Sequence, residues 1–392
     1  MHSRFIGGLL LIVGTSIGGG MLALPVANAA SGFWSSSLFL ILCWLLMTLG
    51  AFFILEVNLY LPRGKHMVSM AYATLGIPGL VVTWICYLVL LYTLLSAYIS
   101  GGADVLGSIL DKINVNVSDG LTPLLFTIFF GFIVCGGIKQ VDFLNRGLMF
   151  LKLGLYLILV LLISPYVSRD YWHHGDVKAI TGSLMILITS FGFAIIVPNL
   201  RDYFEDNIPQ LKRVILIGSF IPLLCYIAWD AIIMGALPSS GPTGLDTLLQ
   251  NPHTTSALAA TLSQTVDNRF ISAMFNLFTS VCMLTAFLGV SLCLMSFLSD
   301  GLKISPYGSH RFGLYLLTFA PPLFLVIFYP GLYIHALSYA GFFCIMLLLF
   351  LPALMSFIGR KHHTARFSVP GGIWTQGFIM AGSLGLFFFS IR

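Results

Sequence analysis

Thr15-Ser16-Ile17-Gly18, followed at once by Gly19, Gly20 and Met21, places two hydroxyls and three glycines midway along the apolar run "FIGGLLLIVGTSIGGGMLALPVANAASG". These residue types weaken a helix. Glycine tolerates backbone conformations closed to other residues, and Thr and Ser offer side-chain bonds that compete with helical ones. The chemistry open to such a break is binding through the backbone. Unwound N–H and C=O groups cannot be left to lipid, so they must face protein or a water-filled cavity. A half-helix beginning near Gly19 to Met21 aims its positive dipole end at a carboxylate. Carbonyls at the ends of the facing half-helices accept from an ammonium. A site that seeks an anion on one side and a cation on the other suits a zwitterion, of which an amino acid is the simplest.

The same pattern returns as Thr189-Ser190-Phe191-Gly192 within "GSLMILITSFGFAIIVPNL". Phe191 and Phe193 flank this second break and offer aromatic surface for stacking. Ionisable residues inside apolar runs are few and costly, hence functional candidates. Lys152 lies in "RGLMFLKLGLYLILV", Glu56 in "FFILEVNLYLP" and Asp230 in "YIAWDAIIMG". Burial disfavours a charged lysine, so Lys152 could load and release a proton; alternatively it snorkels to the interface. Glu56 could carry a proton or be a permanently satisfied carboxylate holding the broken helices. Asp230 is expected toward one end of its run, as a gate or a solvated group. A further wall is expected where Tyr92, Ser96 and Ser100 share a face at i, i+4 spacing, with Tyr98 nearby. Gly7-Gly8 and Gly101-Gly102 read instead as close helix packing. With 33 Phe and 15 Tyr in the chain, most aromatics must face lipid or neighbouring helices.

The elements that must position these residues are membrane spans. The chain of 392 residues is 58% hydrophobic and 8% charged, against about 25% charged for a water-soluble domain. Apolar runs long enough to cross a hydrocarbon core recur eleven times, at roughly 5–30, 34–61, 78–101, 121–138, 147–167, 178–199, 212–236, 270–298, 312–329, 333–357 and 373–391. With the N-terminus cytoplasmic, only Lys112, Arg169, Lys178, Arg269 and Arg392 of the 19 Lys and Arg fall outside. That is a positive-inside bias, and it puts the C-terminus outside. The net charge of +5 is this topological signal; no basic patch interleaved with aromatics points to nucleic acid. The two T-S-apolar-G breaks are five spans apart. An odd offset gives them opposite orientation, the inverted-repeat arrangement of secondary transporters.

Ala27-Asn28-Ala29 after the first run imitates a signal cleavage site, but glycines 14, 18, 19 and 20 would make a weak signal core. Seven cysteines scattered singly suit packing, not a disulfide or metal site. The long connection after span 7 is expected to hold a short helix at 254–266 acting as an outer lid, and 64–77 to form an interfacial helix.

"GTSIGGGMLALP" resembles the N-terminal signature of the hydroxy and aromatic amino acid permeases, in particular the tyrosine- and tryptophan-specific branch. The resemblance continues through "LEVNLYLP", "AYISGG", "TSFGF" and "FLGVSL", over most of the chain. It implies an all-α membrane protein of LeuT-type fold with eleven helices, discontinuous in spans 1 and 6. Residues 1–167 would form the first inverted repeat, 178–357 the second, and 373–392 an additional helix. It further implies import of an aromatic amino acid, tyrosine foremost, across the inner membrane by proton symport. The substrate site would comprise Thr15, Ser16, Gly18, Gly19, Gly20, Met21, Tyr92, Tyr98, Ser190, Phe191, Gly192 and Phe193, with Lys152, Glu56 and Thr285 in proton coupling. Relatives carry a lysine at the position of Lys152, where an amine can replace a sodium ion. Two departures stand out. The family continues "SFGF" with His-Gly where this chain has Ala194-Ile195-Ile196, and T-S-F-L-G where it has Thr285-Ala286-Phe287-Leu288-Gly289. Losing that second hydroxyl removes an oxygen ligand and favours proton over sodium.

No cofactor or metal is called for; the expected partners are the amino acid, the proton and the bilayer. Three alternatives remain: a serine/threonine or broader neutral amino acid permease, possibly sodium-coupled; a channel; or an intramembrane enzyme. The last would need a facing pair of catalytic groups, and no Walker loop or G-x-S-x-G is present.

Overall fold

Glycine and proline set where the helices of this chain stop and bend. The computed structural model describes residues 2–115, 117–118, 120–135, 138–241, 244–249, 251–303, 311–363 and 366–390. Among these, every regular element is helical. α1 (His2–Ser16) and α2 (Gly19–Ala27) are the halves of the first apolar run and meet at a bend of 50°. α3 (Phe33–Asn58) starts after Gly32, whose φ of +79° favours glycine and which lies against the backbone of His174 and Gly175. α4 (Met67–Lys112) bends at Gly76, where φ is +69°, two residues before Pro78. The expected interfacial segment and third span are thus two limbs of one bent helix.

The chain continues through α5 (Leu121–Cys135), α6 (Ile138–Ile163), α7 (Ile180–Ser190), α8 (Val197–Tyr203) and α9 (Ile208–Ala236). α6 begins well before the apolar run expected at 147, because hydropathy marks membrane depth and helical hydrogen bonding continues beyond it. A short α10 (Leu245–Leu248) and then α11 (Thr254–Val266) precede α12 (Arg269–Leu302). α11 occupies the residues expected of the lid helix. α13 (Arg311–Phe328), α14 (Leu332–Cys344), α15 (Leu351–Gly359) and α16 (Gly372–Ser390) follow, with a π-helical turn at Ile345–Phe350 joining α14 to α15.

Eight of the described helical stretches are long and apolar enough to cross a bilayer, two of them, Val177–Tyr203 and Leu332–Gly359, running through the 3₁₀ and π-helical turns, and the bent α1–α2 pair makes a ninth. Leu121–Val134 and Phe312–Phe328 are shorter apolar helices. Large apolar side chains face outward, among them Phe132, Phe143 and Trp374, at 78%, 83% and 85% exposure. An apolar exterior of this extent is a contact surface for lipid. Inside, α4 packs on α12 and α14, α12 on α6, α14 on α7, and α9 on α1 and α3. Both interrupted runs are therefore central: α2 touches α7, and every residue of α2 is buried. Gly341 allows α14 to lie directly against the Met185 backbone of α7.

One end of the bundle is tied by buried charge. The Glu56 carboxylate at the end of α3 is fully buried. It accepts from Tyr60 Oη at 2.9 Å, Ser356 Oγ at 2.8 Å, Arg360 Nε and Nη2 at 2.7 and 2.8 Å, and the Val369 amide at 2.6 Å. Nearby, Arg201 of α8 donates to the Asn58 backbone carbonyl, to Asn58 Oδ1 at 3.0 Å and to the Leu61 carbonyl at 2.9 Å. Cys43, Cys86, Cys225, Cys282, Cys293 and Cys344 are free and buried or half-buried. The side chains of Cys135, Lys139 and Arg311, and residue Arg392, lie outside what is described.

Candidate functional site

α1 ends at Ser16 and α7 ends at Ser190, the same position within the two T-S-apolar-G motifs. The hydroxyls of the motifs turn back on their own helices. Thr15 Oγ1 donates to the Leu11 and Ile12 carbonyls at 3.0 and 2.9 Å, and Ser190 Oγ to the Ile186 carbonyl at 2.9 Å. Thr189 Oγ1 reaches the Met185 carbonyl at 2.8 Å and the Leu337 carbonyl of α14 at 2.9 Å. The two breaks are not alike. The first is a sharp bend around Ile17 and Gly18. The second is a tightening, in which Gly192–Ile196 forms a 3₁₀ turn and Pro198 opens α8.

Breaking α1 frees carbonyls, and a lysine collects them. Lys152, projecting from α6, is 1% exposed. Its ammonium donates to the Ile17 carbonyl and lies 3.5 Å from the Gly14 carbonyl and 3.4 Å from Thr285 Oγ1 on α12. These acceptors match the three donors of an ammonium. Among the described residues no carboxylate forms an ion pair with it. A side chain placed this way is not snorkelling.

A second donor joins the two breaks. Tyr226 of α9 lies with its hydroxyl 2.7 Å from the Ser16 carbonyl and 2.8 Å from the Ser190 carbonyl. Its ring meets Phe191 edge-on at 5.2 Å. Tyr333 of α14 donates to the Gly19 carbonyl. Gly19 and Gly20 are the first residues of α2, where N–H groups have no intrahelical acceptor. A side chain at Gly19 would meet the Tyr98 ring at 2.6 to 2.8 Å, and one at Gly20 would stand 3.2 Å from Ser190 Oγ. Gly18 approaches Ala286, whose Cβ is 3.7 Å from where its own would be. Met21, Phe191 and Phe193 are fully buried, and Ser16 Oγ is buried with no hydrogen-bond partner among the described residues. Gly192 has open space where a Cβ would point.

The structure thus gathers Ser16, Gly18, Gly19, Gly20, Met21, Tyr98, Ser190, Phe191, Lys152 and Thr285 around the breaks. It leaves others elsewhere. The Tyr92 hydroxyl is committed to the Leu317 carbonyl of α13 at 2.7 Å, because shared spacing on α4 selects a helix face but not the neighbour that face meets. Glu56 belongs to the end network. Asp230 is neither solvated nor at a surface: it is fully buried and bonded to Asn28. Tyr226 and Tyr333 at the breaks, and Arg360 in the end network, are contributors that the sequence alone did not single out. Among the described residues no cluster of His, Cys, Asp and Glu could hold a metal ion.

Two cavities have linings that include none of the residues gathered at the breaks. One of about 300 Å³ includes Ser100, Asp104, Asp111, His253, Ser256 and Thr122 in its lining. Here Asp104 of α4 accepts from the Thr255 and Ser256 amides, both at 2.9 Å, tying the start of α11 to α4. The other, about 420 Å³, is lined by Ala29, Ala30, Tyr171, His174, Gly175, Pro238, Ser239, Ser240 and Asp246.

The chain is similar to known proteins over nearly all of its length. The tyrosine-specific transport system 2 of Haemophilus influenzae is 31% identical over 377 residues, covering 95% of this chain and 92% of its own. The glutamine transporter 2 of Aliivibrio fischeri is 28% identical over 369 residues, covering 93% and 91%. A solved structure of the Eremococcus coleocola manganese transporter, in complex with an aromatic bis-isothiourea substituted compound, superposes with a TM-score of 0.64. It covers 99% of this chain and 85% of that one at 11% identity, a likeness of fold alone. The sequence matches the tryptophan/tyrosine permease family across residues 1–390. With helices interrupted at both motifs and a match that spans nearly the whole chain, this multi-pass membrane protein belongs to the tryptophan/tyrosine permease family.

Proposed function

We propose that the chain imports an aromatic amino acid, tyrosine foremost, by proton symport and alternating access. The substrate class rests on family membership and on the tyrosine-specific relative. The carboxylate binds the N–H groups at the start of α2, from Gly18 to Met21. The ammonium meets the Ser16 and Ser190 carbonyls, where Tyr226 now donates. Tyr98, Phe191 and Phe193 take the ring.

The observation that carries proton coupling is the Lys152 ammonium, buried on the Ile17 carbonyl and near Thr285, with no carboxylate paired to it among the described residues. An amine there fills a cation position with a charge that can be released. Deprotonation would leave the broken end of α1 facing a neutral amine with one donor fewer, weaken the charge-assisted bonds to its carbonyls and favour rearrangement of the break. Glu56, fully supplied with donors, is assigned to anchoring α3, α15 and the segment before α16 rather than to carrying the proton. The architecture read into this function is eleven spans, with inverted repeats at 1–167 and 178–357, a further helix at 373–392 and the N-terminus cytoplasmic. The site of action is the inner membrane.

The test is radiolabelled tyrosine uptake into proteoliposomes under imposed pH or sodium gradients. Accumulation driven by an inward proton gradient is expected; stimulation by sodium alone would end the proton assignment. A broader neutral amino acid permease is the second reading, favoured by the relative named for glutamine. A panel of unlabelled competitors separates the two.

A further inference from the structure

Asp230 sits in α9 with no exposed surface, six residues before the helix ends at Ala236. Its Oδ2 accepts from Asn28 Nδ2 at 2.8 Å. Asn28 is itself fully buried and caps the C-terminal end of α2. The other two oxygens of the pair, Asp230 Oδ1 and Asn28 Oδ1, are both buried and have no hydrogen-bond partner among the described residues. Both are acceptors when the carboxyl is ionised, so neither can satisfy the other. A carboxylate with one donor and no cation is a costly state in a protein interior. One added proton supplies the single donor that the pair lacks.

The surroundings offer no other remedy. α2 and α11 carry no ionisable side chain. From α6 the facing group is Tyr156, whose hydroxyl donates to the Cys225 carbonyl at 3.0 Å and whose ring lies 6.1 Å from Trp229. The 3₁₀ segment Arg169–His173 brings Trp172, which donates to the Ala231 carbonyl at 2.9 Å. Arg169, Asp170, Tyr171 and His173 of that segment keep solvent exposure. α3 meets α9 at Ser219, about three turns away; α1 meets it at Gly218 and again one turn from Asp230, where the Tyr226 hydroxyl lies 2.7 Å from the Ser16 carbonyl, and brings no ionisable side chain to that contact. The turn Ser164–Tyr166 carries Tyr166, which is exposed, and α8 carries Arg201, bonded at the end of α3. Ala29 and Ala30, which directly follow Asn28, line the 420 Å³ cavity together with His174 and Asp246.

We propose that Asp230 is a second proton-binding site of the carrier. It holds a proton in this conformation, shared with Asn28, and releases it to solvent in the adjoining cavity when the end of α2 moves away. The O–H bond of the carboxyl breaks, the proton passes to water, and the carboxylate left behind is hydrated. Protonation of Asp230 thereby favours the position of α2 seen here. This deepens the proton-coupled reading of the function and rests on it for its role in transport, though not for the protonation itself.

The experiment compares purified full-length wild type with Asp230→Asn by infrared spectroscopy at neutral pH, then in proteoliposomes by tyrosine counterflow over a range of external pH. The expected infrared result is a carboxylic-acid C=O band in wild type that is missing from D230N. The counterflow rate should change with external pH in wild type, and the profile should be altered in D230N, where only Lys152 remains to titrate. Identical infrared spectra in the carboxylic-acid region overturn the proposal, and so does an unaltered pH profile in D230N. Should D230N fail to fold, Asn28→Ala must shift the same band, since the carboxyl loses its amide partner; an unmoved band overturns the proposal equally. Wild type that fails to accumulate tyrosine under a pH gradient ends the symport reading, while the infrared result still decides whether Asp230 holds a proton.

Discussion

The Tyr226 hydroxyl lies 2.7 Å from the carbonyl oxygen of Ser16, and its second neighbour, the Ser190 carbonyl, is the equivalent atom of the other T-S-apolar-G motif. A phenol has one proton, so the two carbonyls share a single donor. Tyr226→Phe leaves both without one. The ligand-free variant is expected to lose about 1–3 kcal/mol of stability. If the substrate ammonium binds these carbonyls, saturating tyrosine restores part of that loss. The ligand-induced rise in Tm is therefore larger in Y226F than in wild type. An equal or smaller rise would place the ammonium elsewhere.

Lys152 is tested by separating its charge from its ability to release a proton. Lys152→Ala removes the donor to the Ile17 carbonyl and should abolish gradient-driven accumulation while sparing exchange. Lys152→Arg keeps a cation that proteins cannot deprotonate, and it too should exchange without accumulating. Accumulation by K152R at the wild-type level would mean that fixed positive charge suffices.

Part of this site was legible because its information is local. The duplicated Thr-Ser-apolar-Gly motif marks both helix ends, whereas the boundary expected between 77 and 78 is a bend inside α4. The short helix expected at 254–266 is α11. What stayed hidden is held by contacts between distant positions. Arg360 reaches Glu56 across 304 residues and Tyr333 reaches Gly19 across 314, and nothing in either neighbourhood distinguishes that tyrosine from fourteen others. The burial of Asp230, near the end of α9 as expected, stayed hidden for the same reason. Its position along an apolar run gives depth, whereas its burial depends on Asn28 arriving from α2.

Gly19 and Gly182 should respond in opposite ways to the same methyl group. At Gly19 a Cβ falls 2.6 Å from Tyr98 Cε1 and 2.8 Å from Cδ1, so the ring must move. Overpacking of this kind costs about 1–3 kcal/mol, and tyrosine uptake by Gly19→Ala is expected to drop about tenfold. Gly182 in α7 has nothing within 4 Å. Gly182→Ala should keep wild-type uptake and gain about 0.4–1 kcal/mol from the stiffer unfolded chain. Equal uptake in the two variants would mean that Tyr98 does not set the shape of the site.

Glu56→Gln distinguishes an anchor from a proton carrier. The carboxylate is buried beside Arg360 with a two-point contact at 2.7 and 2.8 Å. Removing one member of a buried pair costs about 3–5 kcal/mol, and E56Q, which keeps the shape, should fall at the lower end of that range in thermal unfolding. The pH profile of whatever transport survives should match that of wild type. A shifted profile with unchanged stability would move Glu56 into the proton path.

Asp104 links α4 to α11 by accepting from the Thr255 and Ser256 amides, and its Oδ1 lies 2.5 Å from Ser256 Oγ. These amides belong to the first turn of α11, where N–H groups have no acceptor in their own helix. A carboxylate from another helix therefore does the work of a cap, at the end where the helix dipole favours negative charge. Loss of a cap costs about 1 kcal/mol, so Asp104→Ala should raise the opening of this turn about fivefold. Hydrogen exchange at Thr255 and Ser256 reads that change directly. Because Asp104 and Ser256 border the 300 Å³ cavity, a loosened α11 should also speed tyrosine exit in counterflow while leaving the stability of the bundle nearly unchanged. Faster exchange at these amides without faster exit would show that α11 covers the cavity without gating it.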